Sequence, residues 1–297
     1  MSSADHPESE PQPPRIASTI LQTLHDGKTA LVATLIESAN TEARIGAKLL
    51  IRRSPESNQA VGSLGNAELD HAVLEHAAKM FDSNIETRVF QVKEFAPGLT
   101  ISGESKILFE RIQLEPRLVI CGAGHVGASL AKLASLLGYR TTLIDDRAEF
   151  VDPKLFPALG IVLVAAENWS ESVTSEIGSG HGVSVAIVTR GHSEDEQCLR
   201  AAITTDADYI GLIGSKRRTN IVLERLREGG AEEERLKRVR APVGLDIGAV
   251  TPEEVALAIM AEIVAVRRGG EGGSLSAWRR QAKGEEGKAE KGKKVNY

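Results

Sequence analysis

The 297-residue sequence predicts an α/β protein in two parts, a smaller N-terminal α+β domain and a C-terminal domain built on a parallel sheet. Three observations lead there. An apolar run over residues 118–121 enters Gly122-x-Gly124-x-x-Gly127, and a helical pattern follows at once. Strand and helix patterns then alternate as far as residue 213, as they do where parallel strands are joined by crossover helices. A separate group of strands and helices precedes the glycine motif. In a strand-loop-helix unit Gly122 permits the tight turn, Gly124 lets the backbone approach a phosphate, and Gly127 lets the helix lie close to the strand. An acidic residue is expected about 20 positions on, and the next apolar run ends in Asp145-Asp146-Arg147. The C-terminal domain therefore reads as Rossmann-like. The same glycines could shape a tight turn with no ligand, and the motif by itself does not decide the chemistry.

Taken in order, residues 1–14 are acidic and proline-rich and are expected to be disordered. The N-terminal domain spans 15–113. It opens with a helix in which Ile16, Ile20, Leu21 and Leu24 recur at helical spacing up to Asp26-Gly27. Strands follow at 30–36 and 48–52, a helix at 69–81 with Ala72, Val73, His76, Ala77 and Met80 on about one face, and strands at 87–92 and 107–112. His71 and His76 stand five apart, which is not the spacing of a helical metal pair, so packing or surface roles are expected. The Rossmann-like domain covers 114–268, with strands at 118–121, 141–144, 161–165, 183–188 and 209–213 and helices at 126–137 and 194–204. A charged helix is expected over 220–229. The last helix is opened by Thr251-Pro252-Glu253-Glu254, where Thr251 and Glu254 form a capping box and Pro252 suits the first turn. Residues 269–297, glycine-rich and then mixed in charge, read as a disordered tail.

Composition narrows the function classes. A net charge of −5 and few aromatic residues argue against general nucleic-acid binding, which needs a basic face. There is no apolar run of about 18 residues and no signal-peptide core, so a cytoplasmic protein without a membrane span is expected. The two cysteines, Cys121 and Cys198, suggest neither a disulfide framework nor a zinc site and read as buried small hydrophobes.

Ligands of open α/β sheets bind beyond the carboxyl ends of the strands, which gathers Gly122, Asp145, Thr189 to His192 and Gly214 to Arg218 around one cleft. His192 could serve as acid, base or ligand contact, oriented by Asp195 or Glu196; the competing reading is a capping loop with Ser193 as N-cap. In Gly214-Ser215-Lys216-Arg217-Arg218, three cations directly after a strand suit contact with a phosphate or carboxylate, Lys216 and Arg217 foremost.

Several segments together resemble the XdhC/CoxI family, the maturation factors of bacterial xanthine dehydrogenase and related molybdenum hydroxylases. These are Cys121 to Gly127, Leu143 to Arg147, Thr189 to His192 with Asp195, Tyr209 to Arg218, and Pro242 to Ala249 followed by Thr251 to Glu254. The first domain is similar to the family's N-terminal module in Arg44 and in Gly46-Ala47-Lys48. It departs from it at 38–44 and at 62–68, where Asn66 and Ala67 stand in place of glycines. The resemblance implies a chaperone, not a catalyst. It would bind molybdenum cofactor, as molybdopterin or a dinucleotide form, and protect it while a cysteine desulfurase supplies the terminal sulfido ligand. It would then deliver the cofactor to a xanthine dehydrogenase-type apoenzyme, with a homodimer left open as its assembly. The implied cofactor-binding set is Gly122, Gly124, His125, Gly127, Asp145, Arg147, His192, Gly214, Ser215, Lys216 and Arg217; no catalytic residue is assigned and the metal end is not placed. Two alternatives remain from the residues alone. One is an NAD(P)-dependent oxidoreductase that would use Asp145 for a ribose hydroxyl and His192 as proton donor; the other is a nucleotide-sensing regulatory module.

Overall fold

The computed structural model describes residues 12–41, 43–54, 58–83, 85–99 and 105–276. The chain forms two compact units, Met1–Glu115 and Pro116–Tyr297.

In the first unit, α1 (Gln12–His25), β1 (Ala30–Glu37), β2 (Lys48–Arg52), β3 (Gln59–Gly62), α2 (Ala67–Phe81), β4 (Thr87–Gln91), the one-turn α3 (Val92–Phe95) and β5 (Lys106–Ile112) follow one another. The strands form one sheet in the order β3-β2-β1-β5-β4, with every pairing antiparallel. Successive side chains of a strand point to opposite faces. Leu31, Ala33 and Leu35 of β1 thus join Ile51, Ile107 and Phe109 in a core that takes in Leu69, Val73 and Ala77 of α2. Ala30 and Val32 join Leu50 and Ile16 of α1 on the other face. A strand covered on both faces loses the usual alternation, which is why residues 30–36 read as one apolar run.

Three local expectations change. The first helix begins at Gln12, inside the stretch expected to be disordered, with Pro13 and Pro14 in the first turn where a missing N–H is tolerated. Its apolar stripe is rotated: Ile16 and Thr23 are buried, whereas Leu21 is 69% exposed. Strand β3 has no counterpart in the sequence pattern because its four residues, Gln-Ala-Val-Gly, lie at the sheet edge and bury almost nothing. His76 meets its expectation as a packing residue, stacked on Phe95 with ring centroids 4.6 Å apart and edge-on to Phe90 and Phe109. His71 stays exposed beside Glu75.

The second unit holds β6 (Arg117–Cys121), α4 (His125–Leu136), β7 (Arg140–Asp145), β8 (Val162–Ala165), α5 (Trp169–Ile177), β9 (Val183–Ile187), α6 (His192–Ala202), β10 (Tyr209–Leu212), α7 (Lys216–Glu228), α8 (Glu233–Lys237), β11 (Val239–Arg240) and α9 (Pro252–Arg268). Its six strands are all parallel in the order β11-β10-β9-β6-β7-β8. The chain leaves β6 in one direction through β7 and β8, then returns to the other side at β9. The β6–β9 boundary is therefore the switch point at which such sheets open a crevice. Leu118, Ile120 and Leu143 pack on one face against Leu130 and Ala134 of α4 and Ile259, Met260 and Ile263 of α9. Val119, Val185 and Ile187 pack on the other against α5 and α6.

The β7–β8 connection has no α-helix among its described residues, only the 3-10 turns Ala148–Val151 and Pro153–Leu155, and α9 lies beside α4 on that face. At its N-terminus the capping box is present, with Thr251 accepting from the Glu254 N–H and Glu254 from the Thr251 N–H. Gly269, at φ +71, and Gly270 close the helix, so the segment expected to be a disordered tail starts as an ordered cap. The rest of that expectation, from residue 277, lies outside the described residues, as does the one for residues 1–11.

Candidate functional site

The glycine loop follows from steric necessity at two positions and from open space at a third. Gly122 has φ +110, and a Cβ on it would stand 2.6 Å from the Val188 carbonyl oxygen. At Gly127 a Cβ would stand 1.8 Å from the Gly122 carbonyl oxygen, so α4 reaches its position only without one. Gly124 is different. Its backbone is extended, nothing lies within 4 Å of where its Cβ would be, and it is the N-cap of α4. As glycine it offers no side chain to the first N–H groups of the helix, and α4 has no acidic residue in its first turn. The helix starts after β8, β9 and β10 are less open to an anion: α5 is capped by the Asn168 side chain and has Glu171 in its first turn, α6 carries Glu194 and Asp195 in its first turn, and α7 is capped by the Ser215 hydroxyl. Uncapped N–H groups and the positive end of the helix dipole make the start of α4 the best-suited anion site of this unit.

Three carboxylates tie the surrounding strand ends together. Asp145, 1% exposed at the end of β7, accepts from the Ala123 N–H at 2.7 Å and from Arg147 Nε and Nη2 at 2.8 and 3.0 Å. Burial acts to raise its pKa, but the hydrogen bonds from Arg147 and Ala123 outweigh it and hold the carboxyl below its usual range. Arg147 also lies 3.7 Å over the Phe150 ring. Asp146 binds Arg190, just past β9, through both oxygens at 2.8 and 3.1 Å. Asp195, fully buried, accepts from Thr189 Oγ1 at 2.6 Å and from Arg218 of α7. Its burial raises the carboxyl pKa, with Thr189 and Arg218 pulling the other way. The ends of β6, β7, β9 and β10 are thereby linked in series.

What remains unengaged at these ends is His125 at the start of α4, His192 at the start of α6, and Lys216 and Arg217 at the start of α7. All four are exposed and make no ion pair or side-chain hydrogen bond among the described residues. Asp145 and Arg147 are turned inward on each other. Gly214, at φ +145, forms the turn into α7, where a Cβ would press within 3.2 Å of Arg218 Cδ.

Several expectations need correction here. His192 is not oriented by a carboxylate: Asp195 is held by Thr189 and Arg218, and Glu196 by Arg200 and Arg225. The N-cap of α6 is Gly191, not Ser193. Residues 216–218 are the first turn of α7, four residues earlier than the expected helix start at 220. Arg218, grouped in the sequence with Lys216 and Arg217 as a possible anion contact, is instead the partner of the fully buried Asp195, a pairing that the sequence does not reveal. Cys121 and Cys198 are both buried and adjacent, and burial together with their mutual hydrogen bond pushes the Cys198 thiol far up, which keeps it protonated and inert.

The sheet order, the glycine loop and the uncapped helix behind it define a Rossmann-domain protein. Residues 118–263 match the model of the XdhC Rossmann domain, and residues 23–92 match that of the XdhC and CoxI family. The chain belongs to the XdhC and CoxI family. It is 30% identical over 250 residues to the uncharacterized protein YqeB of Escherichia coli (strain K12), covering 82% of this chain and 44% of YqeB. Over 164 residues it is 30% identical to a protein of Bacillus subtilis (strain 168) named as a probable xanthine dehydrogenase subunit, covering 55% of this chain and 47% of that protein. Over 151 residues it is 28% identical to the molybdenum cofactor insertion chaperone PaoD of Escherichia coli (strain K12), covering 51% and 40%. The chain thus spans less than half the length of each of these relatives.

Proposed function

We propose that this protein is a maturation chaperone for a xanthine dehydrogenase-type molybdenum hydroxylase. In this reading it holds molybdenum cofactor, protects it while a cysteine desulfurase supplies the terminal sulfido ligand, and helps insert it into the apoenzyme in the cytoplasm. The observation that carries the reading is the start of α4, where an uncapped helix end and open space at Gly124 coincide. Those features suit the phosphate that molybdopterin and its dinucleotide forms share. His125, His192, Lys216 and Arg217, exposed at neighbouring strand ends, would meet the charge of that group or its nucleotide. Family membership supports it, as do the names of two relatives, one a molybdenum cofactor insertion chaperone and the other a probable xanthine dehydrogenase subunit. Both cysteines of the chain are buried, which favours a separate protein as the sulfur donor.

The role of this chain's residues is then binding and shielding rather than catalysis. The glycine loop fixes the anion, the Asp145, Asp146 and Asp195 ties keep the strand ends in register, and the cations of α7 add long-range attraction. A nicotinamide oxidoreductase would ask Asp145 to accept from a ribose hydroxyl, yet both its oxygens are taken by Ala123 and Arg147. The test is the molybdenum and pterin content of the protein purified without oxygen from a host that makes molybdenum cofactor, alongside its nicotinamide nucleotide content. Stoichiometric pterin with molybdenum is expected; nicotinamide nucleotide alone would overturn the proposal.

A further inference from the structure

The first unit carries a pocket that the cofactor reading does not use. It has a volume of about 490 Å³, opens to solvent, and is lined by α1, the β1–β2 connection with the start of β2, and the β3–α2 connection. That size lies in the range of small-molecule sites. One wall is apolar, formed by Ile16, Ala17 and Ile20 on a single stripe of α1. Arg44 and Lys48 also line it, and no carboxylate does so among the described residues. Arg44 has no ion-pair partner among the described residues, while Lys48 donates to Thr34 Oγ1 at 2.8 Å. Two glycines keep the space clear. Gly46 (φ +88) and Gly65 (φ +94) adopt backbone conformations that side chains disfavour, and nothing lies within 4 Å of their Cβ positions. The β3–α2 connection is set beforehand: the Asp70 carboxylate accepts from Ser63 Oγ at 2.6 Å and from the Leu64 N–H at 2.7 Å. The Asp70 carboxylate is thus turned into the loop.

We propose that this pocket is a second ligand site, which takes a small organic anion with an apolar body. The body lies against Ile16, Ala17 and Ile20, where it loses contact with water, and the charged end meets Arg44 and Lys48. An anion without an apolar part gains nothing from the α1 wall, and an uncharged apolar molecule leaves both cations unanswered. The site lies wholly within the first unit and does not depend on the reading of the glycine loop.

The full chain is titrated calorimetrically with anilinonaphthalenesulfonate, an apolar anion, and with the uncharged phenylnaphthylamine. Saturable binding of one sulfonate per chain is expected, with phenylnaphthylamine bound more weakly. Arg44→Glu should weaken the sulfonate about tenfold and Arg44→Glu with Lys48→Glu about a hundredfold. Ala17→Phe, which fills the pocket from an exposed helix position without changing charge, should also weaken it. Gly124→Asp, in the other unit, should leave it unchanged. No saturable binding, equal binding of the uncharged probe, or affinity indifferent to both the charge reversals and Ala17→Phe would overturn the site, whatever the outcome for molybdenum and pterin.

Discussion

Single residues in the glycine motif separate two roles that the motif as a string merges. Gly122 and Gly127 are required by the fold, because a Cβ at either would stand inside another backbone atom's radius. Gly124 is required only by whatever approaches it. Gly127→Ala is therefore expected to destabilise the chain by several kcal/mol, on the order of other severe overpacking. Gly124→Asp should melt like the parent protein while losing cofactor binding, since its carboxylate would stand where the phosphate lies. Thermal melts paired with cofactor titration distinguish the two; a folded Gly124→Asp of undiminished affinity would remove the loop from the site. His76 gives a residue-level prediction of another kind. Burial, with Lys79 and Arg88 adding to it and Glu94 opposing, pushes its pKa below the ordinary 6.5. The unfolded chain then takes up the proton first, so stability is full above 6.5 and falls as the pH drops below it. Urea unfolding at neutral and mildly acidic pH should show this loss, and His76→Leu should reduce it; an unchanged pH dependence would count against the assignment. The glycines are legible in the sequence because their spacing is rigid. The pairing of Arg218 with Asp195 is not, since the two are distant in sequence and nothing local marks them as partners.

Elements with a strong period are readable, and those formed by tertiary context are not. Strand β2 has the bounds its apolar run suggests, and the capping box places the start of α9. Helix α5 escapes the pattern because only Trp169, Val173 and Ile177 of its nine residues are buried and the rest are mostly serine, threonine and glutamate. Its cap is a usable signal, for Asn168 accepts from the Glu171 N–H. The start of α7 is misplaced because Lys-Arg-Arg reads as a loop until Ser215 is recognised as its N-cap. This helix start yields its own prediction. Lys216 and Arg217 are exposed, so Lys216→Glu with Arg217→Glu should leave the melting temperature within about a degree or two while weakening a phosphate-bearing cofactor about tenfold or more. Titration in rising salt should narrow the gap between variant and parent as the charges are screened. Equal affinities at low salt would leave these cations as a solvated helix start.

On the scale of the whole molecule, the net charge of −5 says little about the site, because charge is sorted by position. Asp145, Asp146 and Asp195 are paired with arginines among the strand ends, while Lys216 and Arg217 remain unpaired at the surface among the described residues. Composition turns attention away from nucleic acid but cannot reveal this sorting, which exists only once the strands are side by side. Binding at one unit also has a thermodynamic signature for the chain. A cofactor held at about a hundred times its dissociation constant stabilises the unit that holds it by about 2.7 kcal/mol. Scanning calorimetry should then show the heat absorption of residues 116 onward moving upward; an unmoved trace in the presence of saturating cofactor would contradict binding there. The placement of α9 has a consequence for how the protein is made. Helix α4, which presents the glycine loop, rests on the last described helix of the chain, so a nascent chain holds the loop's sequence long before it holds the loop's support. Until residues 252–268 leave the ribosome, the apolar flank of α4 has no cover on that side. The glycine loop therefore gains its full support only once residues 252–268 have been made, well after its own strand and helix.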